Sequence, residues 1–243
     1  MPSKLAIALV VAIFLITVLV RMPAGVLPAF LPNDVHCQEP SGTLWQGACA
    51  EMRSGQIALS DLHWTLHPLA LLRARLRLEL QSDDARAAGR GTLTLHTNGD
   101  ADIESLTASL PLQGGLTPMP AGWSGELDLA IAQARFEGQK LSLIEGTLTA
   151  RQLHSERPAT DLGSFELKFP PPTPGTPIIG SLHDIGGPLA LQGSVQLTRG
   201  AGYELNGTVA ARDPANTDLQ QLLQLLGPPD AQGRHEFSLS GTF

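Results

Sequence analysis

The groups in this 243-residue chain that could do chemistry are seven histidines, 23 carboxylates and two cysteines, and their spacing decides whether they do. His63 and His67 stand four apart, the separation that pairs metal ligands on one face of a helix. Trp64, Thr65 and Leu66 between them, with Pro68 after, read instead as a strand running into a corner. Gly122-Trp123-Ser124-Gly125 brings its second glycine one residue too early for a nucleophile elbow. Gly89-Arg90-Gly91 and Gly200-Ala201-Gly202 both lack the third glycine and the following helix of a dinucleotide loop. Asp83, Asp84, Asp100 and Asp102 sit in turn sequences, where carboxylates bond to local backbone. Asn206-Gly207-Thr208 is a glycosylation sequon by letters only, with its glycine inside a strand pattern. No catalytic residue, metal or cofactor is predicted, so the chain reads as one that works by binding.

The two cysteines, Cys37 and Cys49, enclose Pro40-Ser41-Gly42, a turn that lets the chain double back and bring them together. We read them as a disulfide, worth about 3 kcal/mol for a loop of this size in the chain-entropy model. Two buried thiols or half of a metal site are the alternatives, and no second cysteine pair exists to complete a site. Disulfides persist in oxidising compartments. The N-terminus agrees with such a location. Leu5 to Val20 is apolar except for Thr17, flanked by Lys4 and Arg21. At ~1.5 Å per residue this run spans roughly 24 Å, slightly short of a ~30 Å hydrocarbon core. Arg21 can snorkel and Met22 to Leu31 stays mostly apolar, which makes up the difference. A cleaved signal peptide is the rival reading, but no clear small-x-small site follows the run. The expected organisation is a cytoplasmic N-terminus at 1–4, a single transmembrane anchor at 5–22 and a juxtamembrane linker at 23–36. The bulk would lie outside the cytoplasm.

Beyond the anchor the chain reads as a mainly β, antiparallel domain in two parts, 37–169 and 178–243. From Leu72 to Leu80 the even positions are apolar and the odd ones are Arg73, Arg75, Arg77 and Glu79, the period of a strand with one dry face. Alternating runs recur at 56–66, 91–96, 103–110, 126–132, 140–153, 164–169, 189–197, 203–210 and 235–243. Between the two parts, Pro170, Pro171, Pro172, Pro174 and Pro177 mark a stiff exposed loop or an interdomain linker at 170–177. One helix is expected at 217–226, with Thr217 as cap and Gln220 completing a capping box. Its apolar stripe is Leu219, Leu222, Leu223 and Leu226, and Gly227-Pro228-Pro229 stops it. One helix cannot cover so many one-faced strands, so the sheet must close as a roll or sandwich, or curl into a trough. Closure would pack Leu76, Leu78, Leu127, Leu129, Leu141, Leu143, Leu191, Val195 and Leu205 against one another, whereas a trough would place Ala130 and Ala132 on its wall. A net charge of −7 and a pI near 5.4 argue against nucleic acid as a partner.

Two blocks carry a family resemblance. The first is Ser41-Gly42-Thr43-Leu44-Trp45-Gln46-Gly47 followed by Leu62-His63-Trp64-Thr65-Leu66-His67-Pro68 and Arg75-Leu76-Arg77-Leu78. The second is Gly202-Tyr203-Glu204-Leu205-Asn206-Gly207 and then Leu226-Gly227-Pro228-Pro229-Asp230 with Gly233-Arg234. Together they resemble the type II secretion system protein N family. The resemblance implies an accessory component of a type II secretion machine that contacts the inner-membrane assembly platform and the outer-membrane secretin. It implies structural or interface roles for Gly42, Thr43, Leu44, Trp45, Gly47, Trp64, Pro68, Gly227, Pro229, Asp230, Gly233 and Arg234. The alternative function is a periplasmic lipid-binding or lipid-transfer groove, and an anchored hydrolase is a distant third.

Overall fold

The computed structural model describes residues 10, 14, 17–18, 20–29, 35–54, 57–84, 87–113, 122–138, 140–173, 175–198 and 202–242. Most of the expected anchor lies outside the described residues. Of those that are described within it, Val10, Phe14, Thr17, Val18 and Val20 are helical, Arg21 is in a turn and Met22 lies outside any element. Among the described residues no helix is long and apolar enough to cross a membrane. A 3₁₀ turn, Ala24–Ala29, follows, and then the sheet begins.

The strands are β1 (Val35–Gly42), β2 (Gln46–Ser54), β3 (Ile57–Leu66), β4 (Arg75–Ser82), β5 (Gly89–His96), β6 (Ala101–Gln113) and β7 (Trp123–Glu137). They continue with β8 (Lys140–Glu156), β9 (Ala159–Phe169), β10 (Ile178–Gly186), β11 (Leu189–Thr198), β12 (Gly202–Ala211) and β13 (His235–Thr242). Two helices interrupt the run, α1 (Pro68–Leu71) and α2 (Thr217–Gln224). All 13 strands form one antiparallel sheet in which spatial order equals chain order. The proline run joins β9 to β10, which pair directly, so the ladder passes through it.

Register explains why this chain makes one two-faced sheet. Paired residues in an antiparallel ladder lie on the same side of the sheet. One such row crosses every strand: Pro40, Cys49, Leu62, Ser82, Gly89, Ala108, Leu129, Leu148, Leu167, Leu182, Gly193, Gly207 and Phe237. The neighbouring row, on the opposite side, is Ser41, Ala48, His63, Gln81, Arg90, Thr107, Ala130, Thr147, Lys168, Ser181, Ser194, Asn206 and Ser238. The first row holds one hydroxyl, and the second holds no large apolar side chain. Bulges in β5–β6 and β7–β8 keep the apolar face aligned where the alternation would otherwise slip.

The expected roll or sandwich does not form: the sheet is a single open layer. Closure needs β1 to meet β13 or a second sheet to cover the first, and among the described residues β1 pairs only with β2 and β13 only with β12. Burial is concentrated at two places instead. One cluster joins Ala24, Cys49, Leu62 and Trp64 near β1–β4. The other joins Leu112, Leu153, Leu162, Leu189 and Val209 to Leu219 and Leu223 of α2. Because α2 touches both β9 and β12, the sheet bends around the helix there.

Five local expectations need correction. Strand β4 begins at Arg75, since Pro68 opens a helical turn that consumes Leu69 to Leu71 and Ala74 takes a left-handed φ of 55°. The helix cap is Asn216 rather than Thr217, its side chain accepting from the Leu219 N–H at 3.1 Å. Leu226 lies beyond the helix and is exposed. Ala130 pairs with Thr107 and Thr147 on the polar face, not the trough wall, and Leu143 pairs with Arg135 on that same side.

Candidate functional site: an apolar trough between two structural clamps

The first family block builds a clamp. Thr43 closes the β1–β2 hairpin, its N–H donating to the Gln46 carbonyl at 2.8 Å and its hydroxyl oxygen accepting from the Gln46 N–H at 3.1 Å. Gly42 ends β1 beside it. Leu44 then ties the incoming chain to the sheet, since its N–H donates to the Met22 carbonyl at 2.8 Å and Thr43 bridges Pro23. Trp64 holds the same turn from the far side: it is 5% exposed and its indole N–H donates to the Leu44 carbonyl at 3.1 Å. Gly47 makes room for it, because a Cβ there would stand 2.3 Å from the indole ring. Half-buried Trp45 offers its carbonyl to the Leu66 N–H at 2.7 Å, just ahead of Pro68, which opens α1. Cys37 and Cys49 form the disulfide across β1 and β2, with Cα atoms 5.8 Å apart.

The second block builds another clamp, below α2. Asp230 organises its loop: one carboxylate oxygen accepts from the N–H groups of Gln232 and Arg234, both at 2.8 Å, and the other from the Arg234 guanidinium at 2.9 Å. These bonds hold the Asp230 carboxyl below the usual range, the Arg234 backbone bond chief among them. Gly233 closes the turn through its N–H to the Asp230 carbonyl at 3.0 Å, and Pro229 precedes it, exposed. Gly227 sits at φ 108°, a conformation that costs other residues dearly, and its carbonyl bonds buried His235 Nδ1 at 2.7 Å. The family-block residues thus lie in the two places where a non-sheet segment is fastened to the sheet.

Between the clamps lies a trough of about 360 Å³ over β3–β7; of the leucines expected to face one another or line a curled sheet, Leu129 is in it. Leu62, Leu80, Leu93, Ile103, Leu106, Leu110 and Leu129 form its walls, and Gly89, Gly91 and Ala108 its floor. Small floor residues between large wall residues are what makes a sheet face concave. Ser82 is the one hydroxyl of the crossing row, and it is spent, donating to the Ser60 carbonyl at 3.0 Å and reaching the Ala87 carbonyl at 3.2 Å. Among the described residues no buried side-chain N or O lacks a hydrogen-bond partner. The volume falls in the range of small-ligand sites, and the lining offers dispersion and water exclusion with almost nothing polar. A larger recess of about 590 Å³, near His63, Glu79 and Arg90, has a mixed lining in which these polar side chains alternate with Leu106, Ala130 and Ala132.

The polar face carries the ionic structure. Asp102 accepts from Arg135 Nε at 2.7 Å and meets His96 Nε2 at 2.9 Å. The Arg135 bond is the main reason its carboxyl is held below the ordinary range, with partial burial opposing. Asp184 is penalised by burial, but the Leu191 N–H at 2.8 Å and the Arg212 guanidinium outweigh that cost and its carboxyl also lies low. Both are cross-strand structural pairs. His63 is exposed and His67 bonds Glu79 at 2.8 Å, and among the described residues no three His, Cys, Asp or Glu side chains gather as metal ligands.

The described residues thus form a one-faced open sheet with an apolar trough and fastened ends. Comparison with known proteins supplies the system. The family described as Type II secretion system (T2SS), protein N matches residues 33–238, and the chain belongs to that family. It is 27% identical over 240 residues to Type II secretion system protein N of Vibrio cholerae, covering 94% of each chain. Proteins of the same name from Aeromonas hydrophila and Klebsiella pneumoniae are each 27% identical, over 96% of this chain and 97% and 94% of theirs. No solved structure matches it. The chain is therefore a type II secretion component, as the two sequence blocks implied.

Proposed function

We propose that this secretion component is a non-catalytic binding protein, tethered to the inner membrane by its N-terminal apolar segment, whose periplasmic sheet holds an acyl chain in the trough. The observation that carries this reading is the row across the sheet, apolar but for the already bonded Ser82 hydroxyl and open over β3–β7. The chemistry of the occupant follows from the lining. An extended peptide laid across a sheet face would leave its backbone N–H and C=O groups unpaired in an apolar trough, at a cost of several kcal/mol. An acyl chain has no such groups. Tethering at the membrane would put that ligand within reach.

A second reading, contact with other secretion proteins such as the assembly platform or the secretin, is favoured by β13. Among the described residues that strand pairs only with β12, which leaves one backbone edge for strand addition. Native mass spectrometry of the full chain purified from membranes separates the two. Stoichiometric phospholipid, lost in Ala108→Phe and retained in Ala130→Phe, supports the trough. Absence of lipid together with crosslinks from β13 to secretion partners would replace it with the edge.

A further inference from the structure

The corner between β3 and β4 is built against the usual rule for surfaces. In the five residues Pro68 to Leu72, which lie beside β4, Leu69 is 77% exposed, Leu71 45% and Leu72 84%, and no residue of the turn is buried. A helical turn that buries nothing gains no packing energy from three leucines. Two observations say what covers them. The first is position. Pro68 follows Leu66 by two residues, the Leu66 N–H is bonded to the Trp45 carbonyl, and the adjacent Leu44 N–H is bonded to the Met22 carbonyl. The corner is therefore two hydrogen bonds from the point where the N-terminal apolar helix joins the sheet, at the same end of the strands. The second is charge. Arg73 and Arg75 follow the leucines directly and are exposed, and Arg21 closes the apolar helix. Among the described residues neither Arg73 nor Arg75 forms an ion pair, whereas Arg77, two residues on, is already matched by Glu104 at 3.5 Å.

Exposed leucines ringed by unmatched arginines beside a membrane-entering segment are the pattern of an interfacial contact, with apolar side chains below the headgroups and guanidinium groups among them. We propose that the Pro68–Leu72 corner is a second membrane contact, inserting Leu69, Leu71 and Leu72 into the outer leaflet of the anionic inner membrane while Arg73 and Arg75 bind lipid phosphates. This rests on the tether reading, which brings the corner to the surface. Two contacts on one edge fix the orientation of the sheet, where a single helix would leave it free to swing.

The test uses the full chain in vesicles of phosphatidylcholine with phosphatidylglycerol, carrying an environment-sensitive fluorophore on a cysteine introduced at Leu72, at Phe14 within the apolar helix, or at Asp213 at the opposite end of the strands. A nitroxide-labelled lipid is the quencher. The expected result is blue-shifted emission at 72 that the nitroxide cuts by roughly half, with no quenching at 213. Arg73→Gln/Arg75→Gln, or vesicles of phosphatidylcholine alone, should reduce it. A probe at 72 that is not quenched while the probe at 14 is quenched overturns the corner and leaves the tether standing. A probe at 14 that is not quenched removes the tether, and quenching at 72 then still supports the corner. A blue shift at 72 that depends on protein concentration and ignores the nitroxide means contact with a second copy and overturns the proposal. Equal quenching with and without phosphatidylglycerol overturns the role of the arginines.

Discussion

Trp64→Ala tests whether the first clamp is one cooperative unit. The indole is 5% exposed and packs with Ala24, Cys49 and Leu62, so truncation removes a large aromatic from a small cluster, a loss of about 3–5 kcal/mol. It also leaves the Leu44 carbonyl without its indole donor, a further ~1 kcal/mol. Set against a total stability of roughly 5–15 kcal/mol, the variant should be near its folding limit. Trp64→Phe separates the two terms: it keeps most of the packing and drops the hydrogen bond, so its loss should be a minor fraction of that of Trp64→Ala. Denaturant titration followed by circular dichroism gives both numbers. Limited proteolysis gives the structural consequence, faster cleavage around Met22–Ala29, because Leu44 is what binds that segment. A Trp64→Ala variant with an unchanged midpoint would show that the cluster contributes little. A destabilised variant with unchanged cleavage would show that Leu44 holds Met22 without help from the indole.

Other predictions follow from the same geometry. Cys37→Ser should cost about 3 kcal/mol, and its effect should be less than additive with Trp64→Ala, since Cys49 and Trp64 share a cluster; a double-mutant cycle in denaturant measures this. Leu219, the fully buried residue of α2, should cost about 2–5 kcal/mol as Leu219→Ala, and Asn216→Ala about 1 kcal/mol, both read as shifts in melting temperature. Asp102 and Asp184 have folded pKa values below the ordinary carboxylate value near ~3.9. The unfolded chain thus binds their protons first as pH falls, so their contribution is complete above about pH 5 and is lost on acidification through the folded values. Asp102→Asn should flatten the acid limb of a stability-versus-pH curve and change little at neutral pH beyond a constant offset.

Alternation made the faces legible and left closure illegible. The runs at 140–153 and 203–210 could be read as strands because each places Leu or Val against Thr, Glu or Asn at period two, and β8 and β12 contain them. The same alternation is compatible with a roll, a sandwich or an open sheet, because it states which side is dry and not what covers it. Strands β1 and β2 escaped notice because cysteines, prolines and glycines in that stretch read as turn chemistry, although Pro40 sits where an edge strand tolerates it. Ala130 and Leu143 fall on the polar face by plain alternation with Leu129 and Leu148. Bulges move their neighbours: a slip between Ile131 and Gln133 puts Ala132 out of phase, and one between Arg135 and Phe136 brings Leu141 to the dry face. A trough was one expected outcome, but its floor was not legible because it is a coincidence of register: Gly89 and Gly91 lie beside Ala108 and Leu106 only once β5 and β6 pair.

The area of the sheet leads to the last prediction. Thirteen strands at ~4.8 Å spacing would span roughly 58 Å if laid flat, whereas the eight-residue α2 is about 12 Å long and no wider. One helix and a small N-terminal cluster therefore cover the two flanks, and β3–β7 between them keeps its leucines facing the trough. A ligand that fills this gap binds the folded state and not the unfolded one, so it must stabilise by mass action, by about 2.7 kcal/mol at a hundredfold excess over its dissociation constant. Delipidated protein should melt lower than protein as purified, and adding back dodecylphosphocholine below its micelle concentration should restore the difference in proportion to its logarithm. Ala108→Phe places a ring in the same space, so it should weaken or abolish the response while raising the melting temperature of the lipid-free form. Ala130→Phe, one residue over on the other face, should leave the response intact. If the two variants respond alike, or if delipidation leaves the melting temperature unchanged, the open face is not a ligand site and the unpaired edge of β13 becomes the binding element.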